Sequence, residues 1–349
     1  MTARKVLLAT TALAGVGAML LATPAEAVEV KVGGFIRSGV QFGNIDDLQN
    51  NAAVRNFFFR TDTEVIVTVK GKDDATGTEY GARIEFEGDQ SVNNNVDENW
   101  LWIRGSWGEI RFGNDDGASD NMKVTAANVA AGTGGIDGWS NIGAVPFHYM
   151  NSSDATKIIY YSPKVGGFQL GVSYTPDSGQ NGPSGGPTSN NAGQYEHWIE
   201  TGVTYKADMG GASVLVGAQF STARGETNTT PDFKGYSVGA TVDVSGIKVG
   251  ASWARNSTDA SAGDATRWTL GAGASLGPAN VSITFVKQNA DGGNLVNNVG
   301  DGHNVVLSAD VALLPGVALQ GDVAFWNLDN PGWADDSGVT GTARLHMGF

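Results

Sequence analysis

The chain has 349 residues, with 50 glycines, 10 prolines and no cysteine, which excludes a collagen-like repeat and a disulfide-stabilised fold. Hydrophobic residues make up 41% of it, which excludes a fully disordered chain. The formal net charge of −14 argues against nucleic acid as a partner, because nucleic-acid-binding chains carry basic patches.

The first 27 residues have the pattern of a secretory signal peptide. Arg4 and Lys5 give a basic start, residues 6–22 form an apolar run, and Ala25 and Ala27 form a small-x-small cleavage site. We therefore expect residues 1–27 to be removed and the exported protein to begin near residue 28. An N-terminal membrane helix is the alternative, but the apolar run is short for a span and strand-like alternation follows directly.

After residue 27 the apolar residues recur with a period of two, which is typical of β-strands. In the segment 57–70, Phe59 and Val65 lie on one face, while Arg60, Asp62 and Glu64 lie on the other. We count sixteen such segments of about 9 to 11 residues each, the length of a tilted strand in an outer-membrane barrel. The pattern predicts an all-β protein, a 16-stranded antiparallel transmembrane β-barrel over residues 28–349.

The connections alternate between short turns and long polar loops, as in transmembrane barrels with an even number of strands. The longest connection follows a hairpin that turns at residues 105–108, and residues 114–155 show no strand pattern. A structureless stretch of this length is usually functional or disordered. We expect it to fold into the barrel and narrow it. A soluble multi-strand fold is the alternative, but the polar faces suit a wet lumen and aromatic residues mark many strand ends.

Four stretches carry a resemblance to a known family. They are residues 32–37 (VGGFIR), 102–113 (WIRGSWGEIRFG), 159–168 (IYYSPKVGGF) and the C-terminal strand ending in Phe349. In order and at these spacings, the chain resembles the general bacterial porins of the sixteen-stranded, trimeric type. The resemblance implies a homotrimer in outer-membrane lipid. It also implies that Phe349, Met347 and Leu345 form a recognition signal for the barrel assembly machinery.

The resemblance further implies that the third external loop, residues 114–155, forms a constriction with acidic residues facing a basic wall. The acidic candidates on the loop are Asp115, Asp116, Asp120 and Asp137. By strand alternation, the candidates for the basic wall are Arg37, Arg60, Arg83, Arg104 and Arg111. Opposed charges across a narrow gap set ion preference. We expect a water-filled channel for passive diffusion of ions and small hydrophilic solutes. The inward Asp243, Asp310 and Asp322 of later strands favour a weak preference for cations.

A substrate-specific channel remains open as an alternative. Trp100, Trp102, Tyr161 and Trp326 are all predicted to face inward and could form the aromatic line that a sugar channel needs. An enzyme is not expected, because the four histidines show no catalytic or metal-ligand spacing and no phosphate-binding loop joins a strand to a helix. No cofactor and no metal site are predicted.

Overall fold

A computed structural model describes residues 28–43, 56–88, 96–140, 145–179, 195–258, 264–290, 300–329 and 336–349. The predicted signal peptide, with Ala25 and Ala27 at its cleavage site, lies outside the described residues. Within these ranges the chain is almost entirely β-strand, with short helical turns in a single long loop. No helix of the described part is long and apolar enough to cross a membrane.

Sixteen strands follow one another along the chain and are numbered in that order. The strands are β1 (Glu29–Gly43), β2 (Phe57–Asp73), β3 (Thr78–Glu87), β4 (Val96–Gly105), β5 (Gly108–Asn114), β6 (Thr156–Tyr161), β7 (Phe168–Asp177), β8 (Tyr195–Met209), β9 (Ala212–Gly225), β10 (Phe233–Val244), β11 (Ile247–Thr258), β12 (Ala265–Leu276), β13 (Ala279–Ala290), β14 (Gly302–Leu314), β15 (Val317–Leu328) and β16 (Asp336–Gly348). Five strands precede the long loop and eleven follow it, which confirms the predicted count.

The sheet closes on itself, because each strand pairs antiparallel with its neighbours in sequence and β1 pairs with β16. Closure removes both sheet edges, so no row of backbone N–H and C=O groups is left without a partner strand. At the seam, Gly39 of β1 lies opposite Arg344 of β16 and, on its other side, opposite Arg60 of β2. The predicted closed antiparallel barrel is confirmed.

The two faces of the strands differ as the alternation predicts. On the outer face large apolar side chains are exposed, for example Phe59 at 79% and Leu101 at 62%. On the inner face polar side chains such as Ser221, Thr284 and Gln288 are fully buried. The long loop inside the barrel contacts two of them, since Thr284 bonds Ile136 and Ser221 bonds Tyr149, while Gln288 bonds Arg267 and Gly300. An apolar exterior with a polar interior is the pattern of a barrel that stands in lipid around a wet lumen.

The loop between β5 and β6 spans residues 115–155 and contains three short helical turns. They are α1 (Ala118–Asn121) and two 3₁₀ turns, Ala126–Val129 and Gly135–Asp137. The first 3₁₀ turn begins at Thr125, whose side chain accepts a hydrogen bond from the Ala127 backbone. These turns let the backbone satisfy its own polar groups while it crosses the inside of the barrel.

Candidate functional site

The loop lies in a groove that inward-facing glycines create on the inner wall of β7–β12. Three cross-strand glycine pairs form it: Gly171 with Gly202, Gly217 with Gly239, and Gly250 with Gly271. Met122 covers the first pair and Val124 the second. A Cβ at Gly202 would lie 2.7 Å from the Cβ of Met122, and one at Gly217 would lie 2.6 Å from Cγ2 of Val124. The missing side chains therefore give the loop its seat against the wall.

The buried carboxylate of Glu200 on β8 anchors the first and last parts of the loop. It is 0% exposed and accepts hydrogen bonds from Ser119 Oγ (3.1 Å), Ser152 N (3.2 Å) and Ser152 Oγ (3.0 Å). Ser173 Oγ of β7 donates a fourth bond at 3.2 Å. One acceptor thus ties residues of the outgoing and returning limbs to the wall, at a site where unpaired donors would be costly.

Lys157 of β6 closes the base of the loop beside this anchor. Its ammonium group donates to the backbone carbonyls of Asp115, Ser153 and Ala155, the last at 2.7 Å, and its side chain is 1% exposed. Backbone carbonyls from both ends of the loop therefore converge on one cation. This arrangement satisfies a buried charge with hydrogen bonds rather than leaving it free in the lumen.

Beyond the glycine groove, side chains of later strands hold the loop backbone. The bonds run from Ala126 N to Thr269 Oγ1 (3.0 Å), Ala131 N to Ser282 Oγ (2.8 Å), Gly132 N to Asp310 Oδ1 (3.0 Å) and Ile136 N to Thr284 Oγ1 (3.1 Å). Asp310 was expected to contribute negative potential to the lumen, and it binds the loop backbone. The loop consequently follows the inner wall from β7 to β14 instead of crossing the lumen freely.

At the far end of the loop, Trp139 lies against the barrel seam. Its indole ring is 7% exposed, and the guanidinium carbons of Arg60 and Arg344 each lie 4.5 Å from the ring centroid. Gly39, which separates these two arginines across the sheet, contributes no side chain between them. Gln41 Nε2 donates to the Trp139 carbonyl at 2.9 Å. Strands β2, β1 and β16 therefore all hold this residue.

The next loop residue, Ser140, strengthens the same attachment. Its carbonyl accepts from Thr340 Oγ1 at 2.6 Å, and its hydroxyl donates to Asp322 Oδ2 at 3.0 Å. Asp322, which the sequence placed in the lumen, is 3% exposed beneath the loop. We call Trp139, Ser140 and their contacts on β1, β2, β15 and β16 the seam contact.

All five predicted arginines lie on the wall formed by β1–β5. Four of them form ion pairs. The pairs are Arg37 with Asp62 (3.1 Å), Arg83 with Glu85, Arg104 with Glu79 (2.7 Å), and Arg111 with Glu109 (2.6 Å) and Asp115 (3.0 Å). Among the described residues, Arg60 has no carboxylate within ion-pair distance and stacks on Trp139 instead. The wall therefore carries both arginines and carboxylates rather than arginines alone.

The four predicted loop acids occupy different environments. Asp115 is 3% exposed at the loop base and pairs with Arg111. Asp116 is half-buried beside it. Asp120 accepts both short bonds from Lys123 Nζ, at 2.7 Å each. Asp137 is exposed. The structure thus places Asp115 and Asp116 at the base of the loop and Asp120 and Asp137 farther along it, and their roles in conduction stay predictions.

Burial and neighbouring charges move the pKa values of the loop groups apart. Burial, together with the adjacent Asp120 carboxylate, raises the pKa of Asp116. Burial also opposes ionisation of Asp120, but the ion pair with Lys123 outweighs it and lowers the pKa of Asp120. Burial lowers the pKa of His148 to about 3, so its imidazole stays neutral in the physiological range. Like charges placed this closely ionise in succession rather than together.

A family model described as Gram-negative porin matches residues 9–331 of the chain. The chain belongs to the Gram-negative porin family. The closed sixteen-stranded antiparallel barrel agrees with this membership. The loop inside its barrel is the third of the long connections, which is where the resemblance places a constriction.

Two curated relatives match part of the chain. The porin is 25% identical over 186 residues to an uncharacterized protein of Rickettsia bellii, which is 44% of this chain and 42% of that one. It is 29% identical over 120 residues to an uncharacterized protein of Rickettsia conorii, which is 26% of this chain and 27% of that one. The matched stretch is thus under half the length of these curated relatives.

Two solved structures show the same fold. An anion-selective porin from Comamonas acidovorans superposes with a TM-score of 0.64 at 18% identity, over 93% of this chain and 100% of that chain. A variant of the Rh. blastica porin gives a TM-score of 0.64 at 16% identity, over 92% and 100% of the two chains. At such identities the likeness extends to the fold alone.

The lumenal aromatic residues of the porin are covered rather than lined up in the open. Arg104 stacks on Trp102 at 4.5 Å, and Arg111 stacks on Trp100 at 4.3 Å. Trp326 is 3% exposed beneath the loop. Arginine side chains or the loop therefore cover aromatic ring faces on which a sugar would have to stack.

One group of carboxylates in the porin has the spacing of a cation site. Side-chain oxygens of Glu98, Asp116 and Asp154 lie within 4.8 Å of one another. All three are half-buried, and acidic groups of this kind are common without an ion. The raised pKa of Asp116 favours its neutral form in this cluster, and no metal is assigned to it.

Sequence reasoning missed several residues that hold the porin's loop. Glu200 and Lys157 occupy ordinary inward positions on their strands, and Trp139 and Lys123 lie in a segment without periodicity. The one available signal was the recurrence of glycine at inward positions of β7–β12, since glycine weakens a strand unless another backbone approaches closely.

Proposed function

We propose that the porin forms a water-filled channel for passive diffusion of ions and small hydrophilic solutes, with a weak preference for cations. The observation that carries this proposal is the path of the loop. It stays attached to the inner wall from β7 round to the seam, which leaves the lumen open beside the charged wall of β1–β5. A polar passage of this kind suits hydrated solutes.

The charge of the loop supports the preference for cations. Residues 115–155 carry five aspartates against one lysine, a formal net charge of −4, to which Asp116 contributes fully only at high pH because its pKa is raised to about 8. On the facing wall, Arg37, Arg83 and Arg104 pair with carboxylates of the wall itself. Arg111 pairs with wall Glu109 and loop Asp115, and Arg60 stacks on Trp139, so the wall offsets the loop charge only in part. A lumen with excess negative charge concentrates cations and repels anions.

The porin from Comamonas acidovorans is anion-selective, and we do not extend that property to this chain. The fold is shared, but selectivity depends on the charges that line the lumen. A sugar-specific channel is disfavoured here, because arginines cover Trp100 and Trp102 and the loop buries Trp326.

We further propose that the mature protein begins after Ala27, assembles as a homotrimer in outer-membrane lipid, and is inserted by the barrel assembly machinery. Support for the assembly signal is that Leu345, Met347 and Phe349 are 51%, 44% and 57% exposed on the outer side of the last strand. There an assembly factor could read them before the barrel closes.

Reversal potentials across a planar bilayer with a KCl gradient test the proposal. We expect ohmic current and a potential whose sign reports modest potassium preference. Replacing Asp137 or Asp120 with asparagine should shift the reversal potential toward zero. A potential that reports chloride preference would contradict the assigned selectivity, and absence of current from the folded barrel would contradict the channel itself.

A further inference from the structure

The two limbs of the loop line an open pocket that the diffusion function does not require. It has a volume of about 390 Å³ and is lined by Asp120, Lys123, Ile136, Asp137, Gly138, Pro146, Phe147 and His148. Every lining residue belongs to the loop itself. The volume lies at the lower end of roughly 300–1,000 Å³ that is common for small-ligand sites.

The charged groups of this pocket are not equivalent. Lys123 directs two bonds to Asp120, which also accepts from Asn151 Nδ2 at 2.7 Å. Asp120 is therefore fully engaged. The side chain of Asp137 makes no hydrogen bond or ion pair among the described residues and is exposed. The pocket thus contains two carboxylates and one ammonium group, with one carboxylate available to a ligand.

The remaining surfaces are apolar or neutral. Ile136 is fully buried, and Pro146 and Phe147 are half-buried at the edge of the same cavity. His148 is 7% exposed and bonds Ser237 Oγ through Nε2 at 3.0 Å, while its Nδ1 has no hydrogen-bond partner among the described residues. A buried ring nitrogen of this kind is expected to find a partner in a bound molecule or water.

We infer that this pocket binds a small molecule carrying an ammonium group on a compact apolar body, with the ammonium group on Asp137 and the body against the half-buried Pro146 and Phe147. The net charge of the three charged residues is −1, which a monocation neutralises and an anion does not. The inference rests on the proposed channel function and assigns a preferred class of solute to it. Inorganic cations lack the apolar body and gain nothing from the pocket floor.

Block of the KCl current by benzylammonium tests the inference, with benzyl alcohol as the uncharged control of the same shape. We expect concentration-dependent interruptions with benzylammonium and none with benzyl alcohol. Asp137→Asn should weaken the block about two- to five-fold, the range for a partly exposed ion pair. Asp154→Asn removes the same charge from the same loop outside the pocket and should weaken it less.

Phenylalanine distinguishes two sources of the ammonium group. Block by phenylalanine as well as benzylammonium supports an amino acid as the solute, and block by benzylammonium alone supports a simple amine. Equal block by benzyl alcohol, or equal weakening by the Asp137 and Asp154 variants, would overturn the pocket assignment. Titration calorimetry on micelle-solubilised protein gives the same comparisons without current, so a non-conducting barrel would refute the channel and leave the pocket measurable.

Discussion

Replacing Trp139 with alanine removes the central side chain of the seam contact while leaving its backbone hydrogen bonds possible. The indole is 7% exposed and lies 4.5 Å from two guanidinium groups. Truncating a buried tryptophan to alanine costs about 3–5 kcal/mol, and each cation–π contact contributes roughly 0.5–2 kcal/mol of such losses. We take the lower end, about 3 kcal/mol, because the ring borders a wet lumen.

The bonds that remain do not compensate for this loss. Gln41, Thr340 and Asp322 each keep one hydrogen bond to residues 139–140, worth about 1 kcal/mol apiece. The substitution therefore removes about half of the free energy that holds this end of the loop. A loss of about 3 kcal/mol raises the detached population roughly 100-fold.

The absence of cysteine from the chain makes a clean assay possible. Ser140→Cys introduces a single thiol at a position that is 0% exposed, and because it removes the hydroxyl bond to Asp322, the labelling rates are compared only between proteins that all carry this substitution. Labelling of this thiol by a maleimide should be slow in the otherwise native protein and roughly 100-fold faster with Trp139→Ala. Trp268→Ala is the matched control, since Trp268 is 53% exposed on the outer face.

The folded barrel is verified in each variant by its heat-dependent gel mobility. Equal labelling rates with and without Trp139 would refute the reasoning, because they would show that the stacked indole does not hold the loop. A faster rate in the Trp268 variant as well would point to general loosening of the barrel instead.

Three further outcomes follow from the same contacts. Glu200→Ala leaves four hydrogen-bond donors without their acceptor, at a cost of about 1–3 kcal/mol for each buried group. The loop should therefore detach more often, and open-channel current noise should rise, with Glu200→Gln giving an intermediate rise. Unchanged noise in both variants would contradict the role of Glu200 as the loop anchor. Gly217→Val overpacks the loop seat by about 1–3 kcal/mol and should push the loop into the lumen and lower single-channel conductance, whereas Gly321→Val on the outer face should not. The raised pKa of Asp116 means that the folded loop favours its neutral form, so ionisation of Asp116 should weaken loop attachment as pH rises above the ordinary carboxyl range. The same ionisation should increase the preference for potassium. Asp116→Asn should therefore reduce the pH dependence of the reversal potential.

The strand framework was predictable because alternation is a local property. A side chain such as Arg60 or Phe59 is assigned to one face by its parity along the strand, and the hydrogen-bonded barrel preserves that parity. Strand count, closure and the position of the long loop followed from the same pattern and from turn lengths. These features needed no knowledge of which residues meet across the lumen.

The site was less predictable, because an inward-facing side chain can either bind the loop or line the lumen. Asp310 and Asp322 face inward as expected, yet both hold the loop, while Asp62 and Glu85 line the open wall and pair with arginines. The alternation of side chains along a strand cannot distinguish these two roles, because they depend on the path of a loop that has no periodicity. The path itself depends on tertiary contacts between residues about 40 to 200 positions apart.

The high glycine content carried structural information that the sequence analysis did not use. The sequence analysis used the 50 glycines only to exclude a collagen repeat. The pairs Gly171–Gly202 and Gly217–Gly239 show that some of these glycines make room for the loop on the inner wall. Glycine weakens a strand, so paired inward glycines on neighbouring strands are expected where another backbone lies against the sheet. An alternating strand pattern with glycine at laterally matched inward positions therefore predicts the track of an inward-folded loop. The loop in turn decides which charged side chains remain in the lumen.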